Sequence, residues 1–131
     1  MTVRIVRLGS ERVPREGLRI GTVRRPPRGI PKSEYAKRNI YDVWLPNLAP
    51  SEPLLKEALA AVSNDDERSW RAFVRKYRKE MTATENRTLL DTLAALSHTA
   101  DFSIGCYCLD EDRCHRSVLR ELLIERGAEL E

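Results

Sequence analysis

A chain of 131 residues with 41% hydrophobic and 33% charged side chains has enough apolar surface for one buried core, which excludes a disordered or low-complexity protein. Its formal net charge of +3 is too mild for a general nucleic-acid-coating protein, and no apolar run approaches the roughly 18 residues of a membrane span. Three cysteines, an odd number, do not suit a disulfide scaffold.

In chain order, MTVRIVRLGSERVPREG lacks the apolar segment and cleavage site of a secretory signal, so a cytoplasmic location with reduced thiols is expected. Within it, TVRIVRLG alternates β-branched and polar residues and predicts a first strand. RIGTVR predicts a second. RPPRGIPKS, residues 25–33, cannot be regular structure, because three prolines and a glycine deny it a hydrogen-bonding ladder. Lys and Arg dominate residues 19–38 against a single acid, Glu34, so the basic character of the chain is local. YDVWLPNLAPS is a short apolar segment ending against Pro46.

Three helices follow. Ser51 is a good N-cap for the first, with Leu54, Leu55, Ala58, Leu59 and Val62 on one face. Asn64 or Asp65 opens the second, which buries Trp70, Phe73, Val74, Tyr77 and Met81. Thr84 opens the third, with Leu89, Leu90, Leu93 and Leu96 inside. FSIGCYC, residues 102–108, carries no charge and suits a buried central strand. A last helix starts near Arg113 or Cys114, buries Val118, Leu119, Leu122 and Leu123, and stops at Gly127. The order predicts a single α/β domain, three-layer-like, with a small, partly parallel sheet flanked by helices. Ligands in such sheets sit beyond the carboxyl ends of the strands, at the loops after Arg24 and Cys108.

GCYCLDEDRCHRS, residues 105–117, contains every cysteine in the chain. Cys114 falls in the first turn of the last helix, where the helix dipole, Arg113, His115 and Arg116 favour a thiolate and Ser117 adds a hydroxyl. A helix start with arginines is also an anion site. The bland readings stand beside this one. Cys106 reads as a small core residue, and Cys108 as either core edge or site. Cys114 shares the core-facing stripe of Val118, His115 could only cap the helix, and Asp110, Glu111 and Asp112 read as a solvated loop. The C-x-C-x5-C-H set has ligand types that zinc uses, but two cysteines two apart on a straight strand should project in parallel rather than converge. No metal and no cofactor are therefore expected. In the second cluster, RRPPRGIPK, the prolines hold Arg25 and Arg28 in a rigid turn suited to phosphate or carboxylate recognition. Its bland reading is a solvated basic loop.

Four blocks in order, RIGTVRRPPRGIPKSEY, DVWLPNLAPS, SWRAFVRKYRKEM and CYCLDEDRCHRSVLRELL, resemble the uncharacterised family called domain of unknown function four-eight-eight. The first three are similar to its YeaO-like branch. The resemblance covers about residues 18–127. It places Arg25, Pro27, Arg28 and Gly29 on the Pro-Arg-Gly loop of that family, and Trp44 with Leu48–Ser51 on its W…LAPS block. Cys114, His115 and Arg116 fall on a Cys-His-Arg triplet of related branches, and Pro26 stands where the pattern has tryptophan. The resemblance implies an α/β fold in a small cytoplasmic prokaryotic protein; it implies no activity.

The leading expectation is one polar cleft in which Arg25, Arg28, Arg116, Ser117 and Trp44 receive an anionic small molecule of phosphate or nucleotide type. Cys114 or His115 would act there as nucleophile or acid/base. The alternatives are a nucleic-acid-binding module using the basic loop and a thiol redox sensor using Cys108 with Cys114.

Overall fold

The computed structural model describes residues 1–131. Four strands, β1 (Val3–Arg7), β2 (Leu18–Gly21), β3 (Val43–Trp44) and β4 (Phe102–Cys106), form one sheet in the order β1-β4-β2-β3. Every pairing is parallel, so the sheet is more uniform than the partly parallel one expected. β4 lies in the middle, with Ile104 beside both Ile5 and Ile20, and all five of its residues are buried. This explains why FSIGC bears no charge: a strand covered on both faces has nowhere to place one.

Helices α1 (Glu52–Ser63), α2 (Glu67–Glu80), α3 (Thr84–Leu96) and α4 (His115–Glu125) all contribute to the larger core. It joins Val3, Ile20, Phe102 and Ile104 to Leu54, Phe73, Tyr77, Leu90, Leu119 and Leu123. Period two on the strands puts these sheet residues on one face, so the helices form a single layer. The opposite face is covered by irregular chain. Gly21 sits so close to the Tyr41 ring that a Cβ there would lie 2.3 Å from it. On the same face Arg19 is wholly buried. Its guanidinium bonds both carboxylate oxygens of Glu16 at 2.7 and 2.9 Å and the carbonyls of Ser10 and Asn39, while Ser103 donates to Glu16. The third layer is thus a polar clamp on loops.

Two local expectations are corrected. Asp66, rather than Asn64 or Asp65, caps α2, because its carboxylate accepts from the Ser69 backbone N–H three residues on. In α1, Leu54 and Ala61 enter the core, whereas Leu59 and Val62 are exposed and Leu55 is only partly covered. Leu96 of α3 is exposed as well.

Burial by itself raises the Glu16 pKa, but bonds from Arg19 and Ser103 and the Arg19 charge outweigh it and hold the carboxyl below its ordinary value. Asp42 behaves alike: burial raises it, and Arg12 together with the Arg19 backbone N–H and charge lowers it further. A carboxyl lowered in the folded state stabilises the fold at pH above its unfolded value, and that contribution is lost as pH falls through the folded value. Thermal scans are therefore expected to be flat from neutrality to about pH 5 and to decline below about pH 4. An unchanged melting temperature in strong acid would contradict this.

Candidate functional site

The carboxyl ends of β4 and β2 meet the amino terminus of α4. β4 ends at Cys106 and the chain bends at Tyr107, so Cys108 does not continue along the strand. The bend brings the Cys106 thiol to 3.8 Å from the Cys108 sulfur. This corrects the expected parallel projection: the two thiols converge. After a 3-10 turn at Glu111–Arg113, Cys114 takes an extended conformation as the N-cap of α4, and His115 is the first helical residue.

Cys106, Cys114 and His115 are all buried and their ligand atoms lie within 4.8 Å of one another. His115 Nε2 is 2.7 Å from the Thr22 carbonyl, a contact that requires a proton on Nε2. Nδ1 is then the free lone pair, and it faces the Cys114 sulfur at 3.8 Å. The ring is held edge-on by Tyr77. Thr22 is itself fixed by hydrogen bonds from its hydroxyl and its backbone N–H to the Gly105 carbonyl. The neighbouring Cys106 and Cys108 thiols and His115 favour the Cys114 thiolate and lower its pKa. In return, hydrogen bonding to its neighbours and burial raise Cys106. Cys108 is drawn down by Cys106 but raised by Cys114 and burial, ending at about 11. Negative charge in this cluster belongs on Cys114.

A cavity of about 490 Å³ opens over the cluster. Its lining joins Cys106, Cys108 and His115 to Arg25, Pro26, Pro27 and Arg28, so the two sequence clusters share one pocket. Leu55, Leu59 and Pro50 form an apolar wall. Cys114 lines an adjoining cavity of about 380 Å³ with Leu55, Leu59, Val62 and Leu109. The α1 leucines placed in the core by periodicity are therefore walls of this site.

Other expected site residues lie elsewhere. Arg116 is buried and outside both cavities, its Nη2 donating to the Cys108 carbonyl at 2.7 Å while its Nε has no partner. It secures the bend rather than reaching into the pocket. The Ser117 hydroxyl donates to the Cys114 carbonyl, and the Trp44 indole N–H donates to the Val23 carbonyl from edge strand β3. Neither lines a cavity over the cluster. Arg113 is drawn aside, paired with Glu67 and placed over the Trp70 ring. Of the basic run, Arg19 and Arg24 serve the interior, Arg24 bonding the Ala49 and Pro50 carbonyls, and Arg25 pairs with Glu52. Arg28 is exposed with no acidic partner. Thr22 and Tyr107 were missed; their position at strand ends was the available signal, and the Tyr107 hydroxyl donates to the Arg25 carbonyl at 3.3 Å.

A parallel α/β domain with a thiol–imidazole cluster at the carboxyl edge of its central strand defines the class. A family model described as the active DUF488-N3 subclade matches residues 3–127. The chain belongs to the DUF488 family, and the match reaches further toward the amino terminus than the predicted start at 18. No curated protein and no solved structure matches the chain. No helix is long and apolar enough to cross a membrane.

Proposed function

We propose that the protein binds an anionic small molecule, of phosphate or nucleotide type, over the cysteine cluster and that Cys114 acts on it as a nucleophile. One observation carries the reading: a single cavity joins the Arg25–Arg28 turn to Cys106, Cys108 and His115. Arg28 and Arg25 hold the anion at the rim, and the apolar wall of Leu55, Leu59 and Pro50 takes the body of the ligand. The thiol proton passes to His115 Nδ1, which the Thr22 carbonyl orients; the Cys114 sulfur then attacks the phosphorus of a phosphate ester, the P–O bond to its alcohol group breaks, and the departing oxygen takes that proton from Nδ1. The amino terminus of α4 adds backbone donors. The word active in the description of the matching subclade accords with catalysis.

Thermal-shift screening against inorganic phosphate, nucleotides and simple carboxylates tests the reading. A ligand at a hundred times its Kd should add about 2.7 kcal/mol, several degrees in melting temperature. Arg28→Ala should abolish most of that gain. No shift with any anion, or an undiminished shift in Arg28→Ala, would remove the proposal.

A further inference from the structure

We infer that Cys106, Cys114 and His115, with Cys108 beside them, form a binding site for a thiophilic divalent cation, zinc above all. Zinc–sulfur bonds of about 2.3 Å in a tetrahedron set neighbouring sulfurs about 3.8 Å apart. The Cys106 and Cys108 sulfurs are separated by 3.8 Å, and the atoms of Cys106, Cys114 and His115 lie within 4.8 Å of one another. A small contraction closes them on one ion. Two sulfurs and an imidazole nitrogen are also the set of three protein ligands used by open zinc sites, and Cys108 can close the fourth position.

The surroundings are those of a metal-ligating histidine. Such a ring usually donates its other N–H to a carbonyl or carboxylate, which fixes its orientation. His115 does so, giving Nε2–H to the Thr22 carbonyl and leaving Nδ1 toward Cys114. With Cys106 and Cys114 bound as thiolates, the ion, two thiolates and a neutral imidazole sum to zero. Buried Arg116, its Nη2 on the Cys108 carbonyl and its Nε unpartnered, stands next to Cys108 to balance the negative charge that a fourth sulfur ligand would add. Metal binding stands independently of the thiol reading. Its consequence rests on that reading: an ion on the Cys114 sulfur masks the nucleophile and makes the site responsive to metal.

The test is cobalt titration of the chelator-treated protein under reducing conditions, followed by zinc competition. One equivalent of Co(II) should produce an intense sulfur-to-cobalt charge-transfer band with tetrahedral d–d bands, reversed by zinc. Cys114→Ser should weaken zinc binding more than about 100-fold, beyond the 10–100-fold that outer-shell changes cost. Should that variant fail to fold, zinc-loaded wild-type protein should protect Cys106 and Cys114 from iodoacetamide in mass mapping. Absence of the charge-transfer band, absence of protection, or unchanged affinity in folded Cys114→Ser would each overturn the site. Cobalt binding with an unreactive metal-free Cys114 supports the metal site and retires the thiol reading. A reactive Cys114 without cobalt binding does the reverse.

Discussion

Arg19→Met is expected to cost about 3–5 kcal/mol of folding stability, because it strands the Glu16 carboxylate in the interior. Domains of this kind are stable by only about 5–15 kcal/mol, so much of the population could unfold near physiological temperature. The guanidinium is completely buried and engages Glu16, Ser10 and Asn39 together. The companion variant Arg19→Met/Glu16→Leu should recover a substantial part of the loss, since removing both charges removes the unpaired one. Urea unfolding of the two variants measures the difference. An Arg19→Met protein as stable as wild type would show that the clamp contributes nothing.

Gly17→Ala should be comparably damaging for a geometric reason. Gly17 has φ of +74°, and a Cβ there would lie 1.9 Å from the Asp101 carbonyl oxygen. The left-handed backbone costs about 1 kcal/mol for a side chain, and the clash costs about 1–3 kcal/mol more as the chain before β4 shifts. Asp101 also accepts from the Thr2 backbone N–H, so the shift propagates to β1. Chemical denaturation should show the loss, and Gly9→Ala, where no atom lies within 4 Å of the added Cβ, isolates the backbone part. Equal losses in the two variants would refute the steric argument.

The elements themselves were legible because each follows from local pattern. FSIGC has the uncharged run of a strand covered on both sides, and Trp70, Phe73 and Tyr77 recur at helical spacing. What escaped was decided by partners distant in sequence. α1 carries two apolar stripes; periodicity merges them, but Leu54 and Ala61 are buried in the core with Ala58 packed against it, while Leu55 and Leu59 wall the cavity. Arg19, Arg24 and Arg28 look alike in the basic run. Glu16 claims the first and the Ala49 and Pro50 carbonyls the second, so only Arg28 stays free. The strand ends suggested that the Arg25–Arg28 turn faces the cysteines, and residues of both line one cavity. The convergence of Cys106 and Cys108 was not, since a bend at Tyr107 carries no proline or glycine to announce it.

The position of β4 between β1 and β2 has a consequence for synthesis. Neither early strand can pair with the other, so both wait for residues 102–106, the strand of this sheet that is synthesised last. Until then Val3, Ile5 and Ile20 have no strand partner on the β4 side, and the nascent chain presents open edges to chaperones and to other chains. Closing that gap joins segments about a hundred residues apart, which places this small domain among the slower folders of its size. The strand that finishes the sheet also delivers Cys106 and leads into Cys114 and His115, so the cysteine–histidine cluster is assembled in the same step that completes the fold.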